Sequence, residues 1–444
     1  MGIEISKDDS EYMYNIIQSI IEECGPRMPC SPQEAKGAEI VKKELEQTCD
    51  EVNVERFTCH PRAALGWINI DVLLVILSFS CFFLIQFFLE TLLTLILAII
   101  ILGLNVFAYL VAIKEFFSYQ EFIDPLYKEK ESQNVIGKIH SEGEIKNLIL
   151  FSGHIDSALQ FNLLAYLKSL YPIISLLGFG ILFLWIFISG IFSILTITTF
   201  IFSLPVIYEF FFNIAIWFLI IGGIPLVILL FFVSHGEKAN KVPGAVDNLS
   251  AVAVVLGIGR YLKKNRDLIP KNTEIRLIAL GCEEAFLRGA FRYVEAHKEE
   301  LKKLNAVCIN LEMIQDPKRN IVINYEPTTK TRHSEEIIQK VIKSAELVGI
   351  TLKPSAMGGN SRLEKLFGKM TGGTDATAFS KSNIKAITIM ATDFLKSIQY
   401  YHTYRDTLDK IEKGSLENVL KICVSYLKNE SKSFLGDKIV SLWD

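Results

Sequence analysis

The chain lacks paired cysteines, a marked net charge and a hydrophobic N-terminal leader. Its eight cysteines stand singly without a CxxC motif, and the closest pair is Cys24 and Cys30, so we expect ordinary reduced thiols. A net charge of −3 gives no reason to expect nucleic acid or another anionic polymer as a partner. The polar N-terminal segment MGIEISKDDS does not resemble a secretory signal.

Charged side chains are almost absent from two long blocks of the sequence. Residues 67–113 contain only Asp71 and Glu90, and residues 173–233 contain only Glu209. A transmembrane helix needs about 20 apolar residues, so the first block suits two spans that turn near Glu90, and the second could form two long helices or three short ones. Buried helices of soluble domains rarely run beyond about 20 residues, which argues against a soluble interpretation of these blocks.

Outside these blocks, short apolar or β-branched runs alternate with amphipathic helical patterns. Strands are predicted near residues 134–139, 148–152, 274–280, 306–311, 321–324 and 385–390. Helices are predicted over residues 10–23, 33–47, 249–263, 286–300, 334–348 and 416–433. Strands separated by helices indicate an α/β fold, with a mixed, mostly parallel sheet sandwiched by helices.

Side chains that bind metals follow several of these strands. They occur in the segments SGHIDSA, PGAVDNLSA, ALGCEEA, INLEMI and YYHTYRDT, and they are His154, Asp247, Glu283, Glu284, Glu312 and His402. In an open α/β sheet, binding sites form beyond the carboxyl ends of the strands, where loops from several strands meet. We therefore expect these residues to converge on one metal centre.

The residue types at these positions suit a hydrolytic zinc centre. Zinc accepts imidazole nitrogens and carboxylate oxygens, and hydrolysis also needs a free base. His154 and Asp156 are two residues apart in an extended segment, so Asp156 can orient the His154 ring. Glu283 and Glu284 are adjacent and point in different directions, so one can bind metal while the other acts as the base. Asp247 can bridge two ions through its two oxygens.

A shared metal centre also limits the number of membrane crossings. If His154 and Asp247 bind the same centre, both flanks of the second block lie on one side of the membrane, so the number of crossings between them is even. The same argument applies to the first block if residues 1–60 pack with the later domain. We therefore predict two transmembrane hairpins, about four spans in all, with Pro205 and Glu209 near the turn of the second hairpin.

The distribution of basic residues predicts the orientation of these spans. Lys and Arg flank the spans on the side of the metal centre, whereas the opposite loops contain none, so the positive-inside rule places the catalytic domain in the cytoplasm. The chain is then an integral membrane protein with a divided catalytic domain. The predicted domain segments are residues 1–66, 114–165 and 235–444, and the predicted hairpins are residues 67–113 and 166–234.

Six motifs in a fixed order resemble a known family. The segments SGHIDS, AVDNLSA, GCEEA, NLEMI, GGTDATAF and YHTYRDTLDKI are similar to those of the di-zinc aminopeptidase family of aminopeptidase Y and bacterial leucyl aminopeptidase, in metallopeptidase clan MH. Glutamate carboxypeptidase and glutaminyl cyclase are relatives of that family. The resemblance covers roughly residues 8–60 and 132–430, that is, everything except the membrane blocks. It implies a zinc-exopeptidase-like fold and a peptide substrate.

The resemblance also implies roles for individual residues. His154, Asp247 and Glu312 would hold one zinc ion, and Asp247, Glu284 and His402 would hold the other. Asp247 would thus bridge two co-catalytic ions.

Further roles follow from the same resemblance. Glu283 would be the general base, with Asp156 supporting the catalytic group, and the Asp247–Asn248 peptide bond would be cis. Ala376 stands where many relatives carry histidine, which leaves the role of that loop open.

Two aspartates keep alternative interpretations. Asp375 can orient a ligand or cap the helix that starts near Ala376, and Asp406 can support the site or form a turn.

The sequence as a whole predicts a membrane-anchored, zinc-dependent aminopeptidase that works at a lipid bilayer. A glutaminyl-cyclase-like enzyme with a single zinc ion is the main alternative. A non-catalytic receptor or adaptor on a peptidase scaffold is another, although such proteins lose metal ligands and this chain retains the whole set and the base.

Overall fold

The computed structural model describes residues 3–89, 91–202, 208–234, 236, 239–359 and 371–440. It divides into two compact units, each built from separate segments of the chain. The first unit comprises Met1–Pro61, Glu129–Gln160 and Glu237–Asp444, and the second comprises Arg62–Lys128 and Phe161–Gly236. The second unit contains both apolar blocks, and its first helix begins at Ala63 rather than at the predicted Trp67.

The first unit is built around one mixed sheet. Its strands are β1 (Glu51–Cys59), β2 (Lys130–His140), β3 (Asn147–His154), β4 (Thr273–Leu280), β5 (Val307–Ile314), β6 (Asn320–Glu326), β7 (Thr331–Arg332), β8 (Lys353–Ala356) and β9 (Lys385–Ala391). Their order is β1-β2-β4-β3-β5-β9-β6-β7, and β8 pairs with β6. The central strands β4, β3, β5 and β9 are parallel, with antiparallel strands towards the edges. The predicted α/β class with a mixed, mostly parallel sheet is confirmed.

Helices follow most of the strands, as the sequence predicts. Along the chain they are α1 (Lys7–Cys24), α2 (Pro32–Glu46), α3 (Ala63–Ile85), α4 (Leu92–Val111), α5 (Asn162–Leu167), α6 (Tyr171–Phe202), α7 (Tyr208–Ile228), α8 (Ser250–Lys264), α9 (Arg288–Lys303), α10 (Glu335–Glu346), α11 (Ala376–Lys381), α12 (Phe394–Ser397) and α13 (Ser415–Val440). Helices α3 to α7 belong to the second unit, and the others pack in the first.

The core of the first unit fixes the ends of the parallel strands. Apolar side chains of α1, α2, α8, α10 and α13 form one buried cluster with the sheet. Helix α8 is apolar on nearly all sides and packs against β3, β4 and β5. Because these strands are buried on both faces, they are largely apolar, and their positions were predictable. Strand β1 was not predicted, although its sequence EVNVERFTC largely alternates polar and apolar residues, a pattern typical of a strand with one exposed face.

The second unit consists of long apolar helices with exposed apolar surfaces. Large side chains such as Phe187, Trp217 and Ile224 are more than half exposed, at 67%, 61% and 76%. Some polar side chains pair between helices: Asn105 Nδ2 donates to Ser189 Oγ at 2.7 Å. A polar group in an apolar surrounding gains from such a partner, which is the pattern of helices packed in a membrane.

Within the part of the chain that the structure describes, five helical segments are long and apolar enough to cross a membrane. Four of them, Ala63–Ile85, Leu92–Phe116, Asn162–Phe202 and Tyr208–Phe231, lie in the second unit and correspond to the two predicted blocks. The fifth, Ala245–Lys264, is almost wholly buried against the sheet of the first unit, so it is a core helix. Glu209 lies in the first turn of α7, near the predicted turn, whereas Glu90 and Pro205 lie outside the described residues.

Candidate metal centre

The predicted ligands come together at the carboxyl ends of the central strands. His154 is the last residue of β3, Glu312 lies near the end of β5, and Glu283 and Glu284 form a short turn after β4. Asp247 lies in the turn that leads into α8. These side chains are buried or nearly buried, and His402, which follows α12, is buried beside them.

One group of ligand atoms surrounds the His154 ring. Its Nε2 atom lies 3.2 Å from Asp247 Oδ1, 3.5 Å from Glu312 Oε1 and 3.6 Å from Glu283 Oε2. The nearest two oxygens belong to the two carboxylates that the resemblance assigns to the first ion. Glu312 and Glu283 lie at nearly the same distance, so the roles of ligand and free base stay predictions.

A second group surrounds the His402 ring. His402 Nε2 lies 3.1 Å from Asp247 Oδ2 and 3.2 Å from Glu284 Oε1. Asp247 therefore directs one oxygen to each imidazole, with a different glutamate beside each ring. This is the arrangement expected of a carboxylate that bridges two ions.

The spacing of these atoms fits zinc. Ligand bonds of about 2.0–2.1 Å place two ligands of one tetrahedral zinc ion about 3.3 Å apart, close to the separations around both rings. The atoms of His154, Asp247 and Glu284 can all lie within 4.8 Å of one another, as can those of His154, Glu283 and Glu312. In addition, Glu312 Oε2 is buried and accepts no hydrogen bond from the described residues. The residues present therefore fit the metal that the family resemblance implies.

The carboxylates of the centre have too few positively charged neighbours to stabilise their ionised forms. Burial, together with the charge of neighbouring carboxylates, raises the pKa of Glu283 well above its ordinary value and also raises that of Glu284. Burial likewise raises the pKa of Glu312 to about 7, against the opposing charge of His154. Charged groups of like sign in a buried site disfavour their own ionisation. A divalent cation would remove this cost.

The imidazoles respond to the same excess of negative charge. Burial alone would lower the pKa of His402, but the charge of Glu284 and the contacts with Asp247 raise it to about 10. The pKa of His154 is raised well above its ordinary value by the surrounding carboxylates, against burial. Burial would raise the pKa of Asp247, but hydrogen bonds from the two imidazoles hold it below its ordinary value. Without a metal, protons supply the positive charge, and a bound metal would replace them.

Asp156 supports the centre in two ways. Its backbone carbonyl lies 3.1 Å from His154 Nδ1, and its carboxylate Oδ1 lies 3.4 Å from the same atom, so the carbonyl is the nearer partner. Its carboxylate also accepts the backbone N–H groups of Glu283 at 3.1 Å and Glu284 at 3.0 Å. Asp156 therefore orients the imidazole and fixes the turn that carries both glutamates, and the sequence predicted only the first contact.

Asp406 fixes the backbone that carries the bridging aspartate. It is fully buried, and its carboxylate accepts the N–H groups of Val246 at 2.8 Å and Asp247 at 3.1 Å. Burial and the charge of Asp247 raise the pKa of Asp406 to about 7. Of the two interpretations open from the sequence, support of the site is the one that these contacts favour.

The Asp247 turn is also tied to the strand that carries Glu312. The Asp247–Asn248 peptide bond is cis, as the family resemblance implies. Asn248 Nδ2 donates to the Leu311 carbonyl, and Asn248 Oδ1 accepts the Met313 N–H, both at 3.1 Å. These bonds hold the β5 backbone on either side of Glu312 and fix the position of Glu312 relative to Asp247.

Asp375 lies against the same centre and does not cap its helix. It is the residue before α11, but its side chain makes no capping hydrogen bond, so the capping interpretation is wrong. Both carboxylate oxygens are buried and have no hydrogen-bond partner among the described residues. Burial raises its pKa well above the ordinary value, with smaller effects from His154 and Glu312. A buried carboxylate beside the ligands remains available to orient a bound group.

Arg27 is a supporting residue that the sequence did not reveal. Its side chain is fully buried and donates to the carbonyls of Gly25, Ile155 and Pro243, each at 2.9 Å, and of Gly244 at 3.3 Å. Ile155 separates His154 from Asp156, and Gly244 begins the Asp247 turn with a φ of 62°. Burial lowers the pKa of Arg27 to about 10. One cation thus joins the segment that carries His154 to the segment that carries Asp247.

Comparisons with known proteins identify the family of this site. Residues 228–427 match the profile of Peptidase family M28. This part of the chain is a peptidase family M28 domain. The matched residues include Asp247, Glu283, Glu284, Glu312 and His402, whereas His154 precedes them and joins the site through the fold.

Individual relatives agree with this assignment. The chain is 26% identical over 194 residues to aminopeptidase YwaD from Bacillus subtilis strain 168, and the alignment covers 43% of this chain and 38% of that protein. The chain thus spans well under half the length of this curated relative. The family resemblance predicted from the motifs is confirmed by these matches.

Solved structures share the fold at low sequence identity. A zinc aminopeptidase from Bacillus subtilis has a TM-score of 0.51 at 16% identity, covering 95% of this chain and 94% of that one. An aminopeptidase from Aneurinibacillus sp. strain AM-1 has a TM-score of 0.51 at 15% identity, with coverages of 94% and 93%. A glutaminyl cyclase from Fimbriiglobus ruber has a TM-score of 0.53 at 10% identity, with coverages of 96% and 97%. Because both kinds of enzyme share the fold, the choice between them depends on the site.

Proposed function

We propose that the protein is a zinc-dependent aminopeptidase, anchored in a membrane by the helices of its second unit. The observation that carries the peptidase proposal is the position of Asp247 between two imidazoles, each with its own glutamate. His154, Asp247 and Glu312 would hold one zinc ion, and Asp247, Glu284 and His402 the other. The YwaD relative, named as an aminopeptidase, supports the same reaction.

The residues of the centre have complementary roles in peptide hydrolysis. Zinc, when bound, supplies positive charge that acidifies water and polarises the scissile carbonyl. Glu283 accepts a proton from the attacking water as its oxygen bonds to the carbonyl carbon, and delivers it to the amine nitrogen as the C–N bond breaks. Asp156 holds the Glu283 N–H and thereby positions this base. Asp375 is placed to orient the substrate's terminal amine or the adjacent ligands.

Two adjacent glutamates provide the decisive test of these roles. Glu283→Gln should reduce turnover by about 10²–10⁴-fold with metal content near that of the wild type, because only the base is lost. Glu284→Gln should reduce metal content, because a proposed ligand is lost. Both variants are measured on the detergent-solubilised full chain, with fluorogenic aminoacyl amides and metal analysis. Full activity in Glu283→Gln, or equal metal loss in both variants, would overturn the assignment, and the exposed Glu295→Gln is the matched control.

A glutaminyl-cyclase-like reaction is the second candidate. The glutaminyl cyclase from Fimbriiglobus ruber has the same fold, so the fold does not exclude this reaction. The separate His402 and Glu284 pair beside Asp247 favours two ions over one. Peptides with an N-terminal glutamine, assayed for released ammonia alongside metal stoichiometry, distinguish the candidates. One ion per chain with cyclisation and without amide hydrolysis would replace the aminopeptidase proposal.

We also propose the orientation in the membrane. The four apolar helical segments of the second unit would form two hairpins, with the metal centre on the cytoplasmic side. A reporter inserted at Glu90 or Glu209 should appear on the opposite side of the membrane from one fused after α13. A reporter at either position on the same side as the one fused after α13 would contradict the hairpin arrangement, and release of the chain by alkaline carbonate would contradict membrane insertion.

A further inference from the structure

Three cysteines from distant parts of the chain meet in the first unit. Cys30 lies between α1 and α2, Cys59 ends β1, and Cys282 follows β4. Their sulphur atoms form a nearly equilateral triangle, with Sγ–Sγ distances of 3.2 Å between Cys30 and Cys282 and 3.5 Å along each of the other sides. All three are free thiols, as the sequence predicts, but their positions in the chain do not reveal that they lie together. We call this group the thiol triangle.

The surroundings hold the thiol triangle in place. Glu34 is fully buried, and its carboxylate accepts the N–H groups of Cys30 at 2.8 Å and Cys282 at 2.9 Å, as well as the hydroxyl of Ser132 at 3.0 Å. Cys30 and Cys282 both have positive φ values, 57° and 53°. Residues other than glycine rarely adopt this conformation, and it persists where surrounding contacts impose it.

Close packing around Gly281 fixes the backbone next to Cys282. Gly281 precedes Cys282, and a Cβ atom added there would lie 2.5 Å from the Gln133 carbonyl oxygen and 2.6 Å from Ser132 Oγ. Such distances are too short for any side chain, so the backbone before Cys282 can approach β2 only because this residue is glycine.

We propose that the thiol triangle is a metal site for one thiophilic cation of the zinc class, separate from the His and carboxylate centre. Zinc–sulphur bonds of about 2.3 Å place two sulphurs of a tetrahedral site about 3.8 Å apart, so the triangle needs to open by only a few tenths of an ångström. A disulfide needs about 2.0 Å between two sulphurs and would leave the third thiol alone. Three thiols at nearly equal distances match the first geometry and not the second.

Charges of both signs act on the triangle: the Glu34 carboxylate opposes ionisation of Cys30 and Cys282, so a bound cation is needed to hold them as thiolates. Each thiol loses its proton when it binds metal, so three thiolates and one divalent cation carry a net negative charge. The positive charges of Arg288 and Arg292 act on Cys59. Cys59 and Cys282 are buried, whereas Cys30 is half-buried and gives the ion a path from solvent.

The site would stabilise the turn of the metal centre. Cys282 directly precedes Glu283 and Glu284, and the backbone N–H groups of these three residues are held in succession by Glu34 and Asp156. A cation bound to Cys282, Cys30 and Cys59 would anchor this turn to β1 and to the α1–α2 connection. Metal binding at the triangle does not depend on the proposed peptidase activity.

Cobalt substitution of the full chain tests this site by itself. The reduced protein in detergent is stripped with a chelator and titrated with Co²⁺, and absorption by thiolate-to-cobalt charge transfer is recorded. The His and carboxylate centre contains no sulphur, so this band reports only the triangle. We expect the band in the wild type and in Glu284→Gln, and its loss in Cys59→Ser and Cys282→Ser. Cys49→Ser should retain the band: Cys49 is half-buried like Cys30, but it is not one of the three cysteines of the triangle.

A labelling experiment covers the case in which a variant does not fold. In the wild-type protein, alkylation of Cys30 should be slow with zinc bound and should accelerate at least tenfold after chelation. A wild-type protein without a charge-transfer band, or with equal alkylation rates in both conditions, overturns the proposal. A disulfide between any two of the three cysteines in the purified protein, found by mass spectrometry, overturns it as well.

Discussion

The buried guanidinium of Arg27 should be essential for the geometry of the metal centre. Arg27→Met keeps most of the apolar volume and removes every donor. Four backbone carbonyls then lose a donor, among them that of Ile155 beside His154, although the Gly244 carbonyl still accepts the Leu249 N–H at 3.1 Å. An unsatisfied buried group costs about 1–3 kcal/mol, and partial relaxation keeps the sum below the simple total. We expect a loss of about 3–5 kcal/mol in the free energy of unfolding, as for other buried networks broken by removing one partner.

Arg27→Lys distinguishes the loss of charge from the loss of geometry. Lysine keeps a positive charge, but its ammonium group has three donors on a flexible stem and cannot reproduce the planar arrangement of the guanidinium. We expect an intermediate loss of about 2–3 kcal/mol and weaker zinc binding in both variants, since Ile155 and Gly244 are no longer joined. Arg56→Met is the control, because Arg56 is 73% exposed and its ion pair with Glu131 contributes at most about 1 kcal/mol.

The measurement has to report the stability and the zinc affinity of the first unit. Three of the four tryptophans, Trp67, Trp185 and Trp217, belong to the second unit, so tryptophan fluorescence would report mainly on that part of the chain. Hydrogen exchange of β3 peptides in increasing denaturant gives the stability of the first unit, and competition with a chelator gives the zinc affinity. If Arg27→Met matches Arg56→Met in both quantities, Arg27 does not join the ligand segments and the reasoning is refuted.

Three further predictions concern the same centre. Asp156→Asn should lower kcat by about ten- to a hundredfold with metal content retained, because one charge-assisted bond to the Glu283 turn is lost, and an unchanged kcat would contradict the positioning role. Chelation should abolish peptidase activity and zinc should restore it, whereas activity that survives complete metal removal would exclude a metallopeptidase. The metal-free protein should lose stability as the pH rises from about 4 to 7, because the folded pKa values of Glu312 and Asp406, both about 7, exceed their ordinary values of 4.5 and 3.8. Unfolding of metal-free Asp406→Asn should depend less on pH over this interval, and an equal dependence would show that Asp406 does not contribute.

The sequence predicted the parts of the fold that have local signals. Strands β3, β4 and β5 are short, largely apolar runs, and metal-binding side chains lie at or just after the end of each, so the convergence of His154, Glu283 and Glu312 follows from the rule for parallel sheets. Helix α2 begins at Pro32, one residue before the predicted start, and the Ser31 hydroxyl accepts the Glu34 N–H at 3.1 Å. The metal roles of the ligands stay predictions, although their proximity is a property of the structure.

Residues without a local signal escaped sequence analysis. Arg27 is separated from Ile155 by 128 residues and from Gly244 by 217, and it contacts backbone carbonyls, which every residue offers. The thiol triangle was missed for the same reason: Cys30 and Cys282 are 252 residues apart, and their spacing matches no compact zinc motif. Local periodicity predicts elements, whereas the partners of a buried cation or thiol depend on how those elements pack.

The separate environments of the two oxygens of Asp247 bear most directly on the choice between one ion and two. A single-zinc centre would need one imidazole and its carboxylates, and the second imidazole would then be a buried cation with a pKa of about 10 and no catalytic task. His402 instead lies 3.1 Å from the Asp247 oxygen that His154 does not contact, with Glu284 beside it. Asp406 holds the Asp247 backbone and leaves both side-chain oxygens to the centre. Every neighbour of Asp247 thus favours a bridging carboxylate, and metal analysis that finds a single ion in a fully active protein would contradict this reasoning.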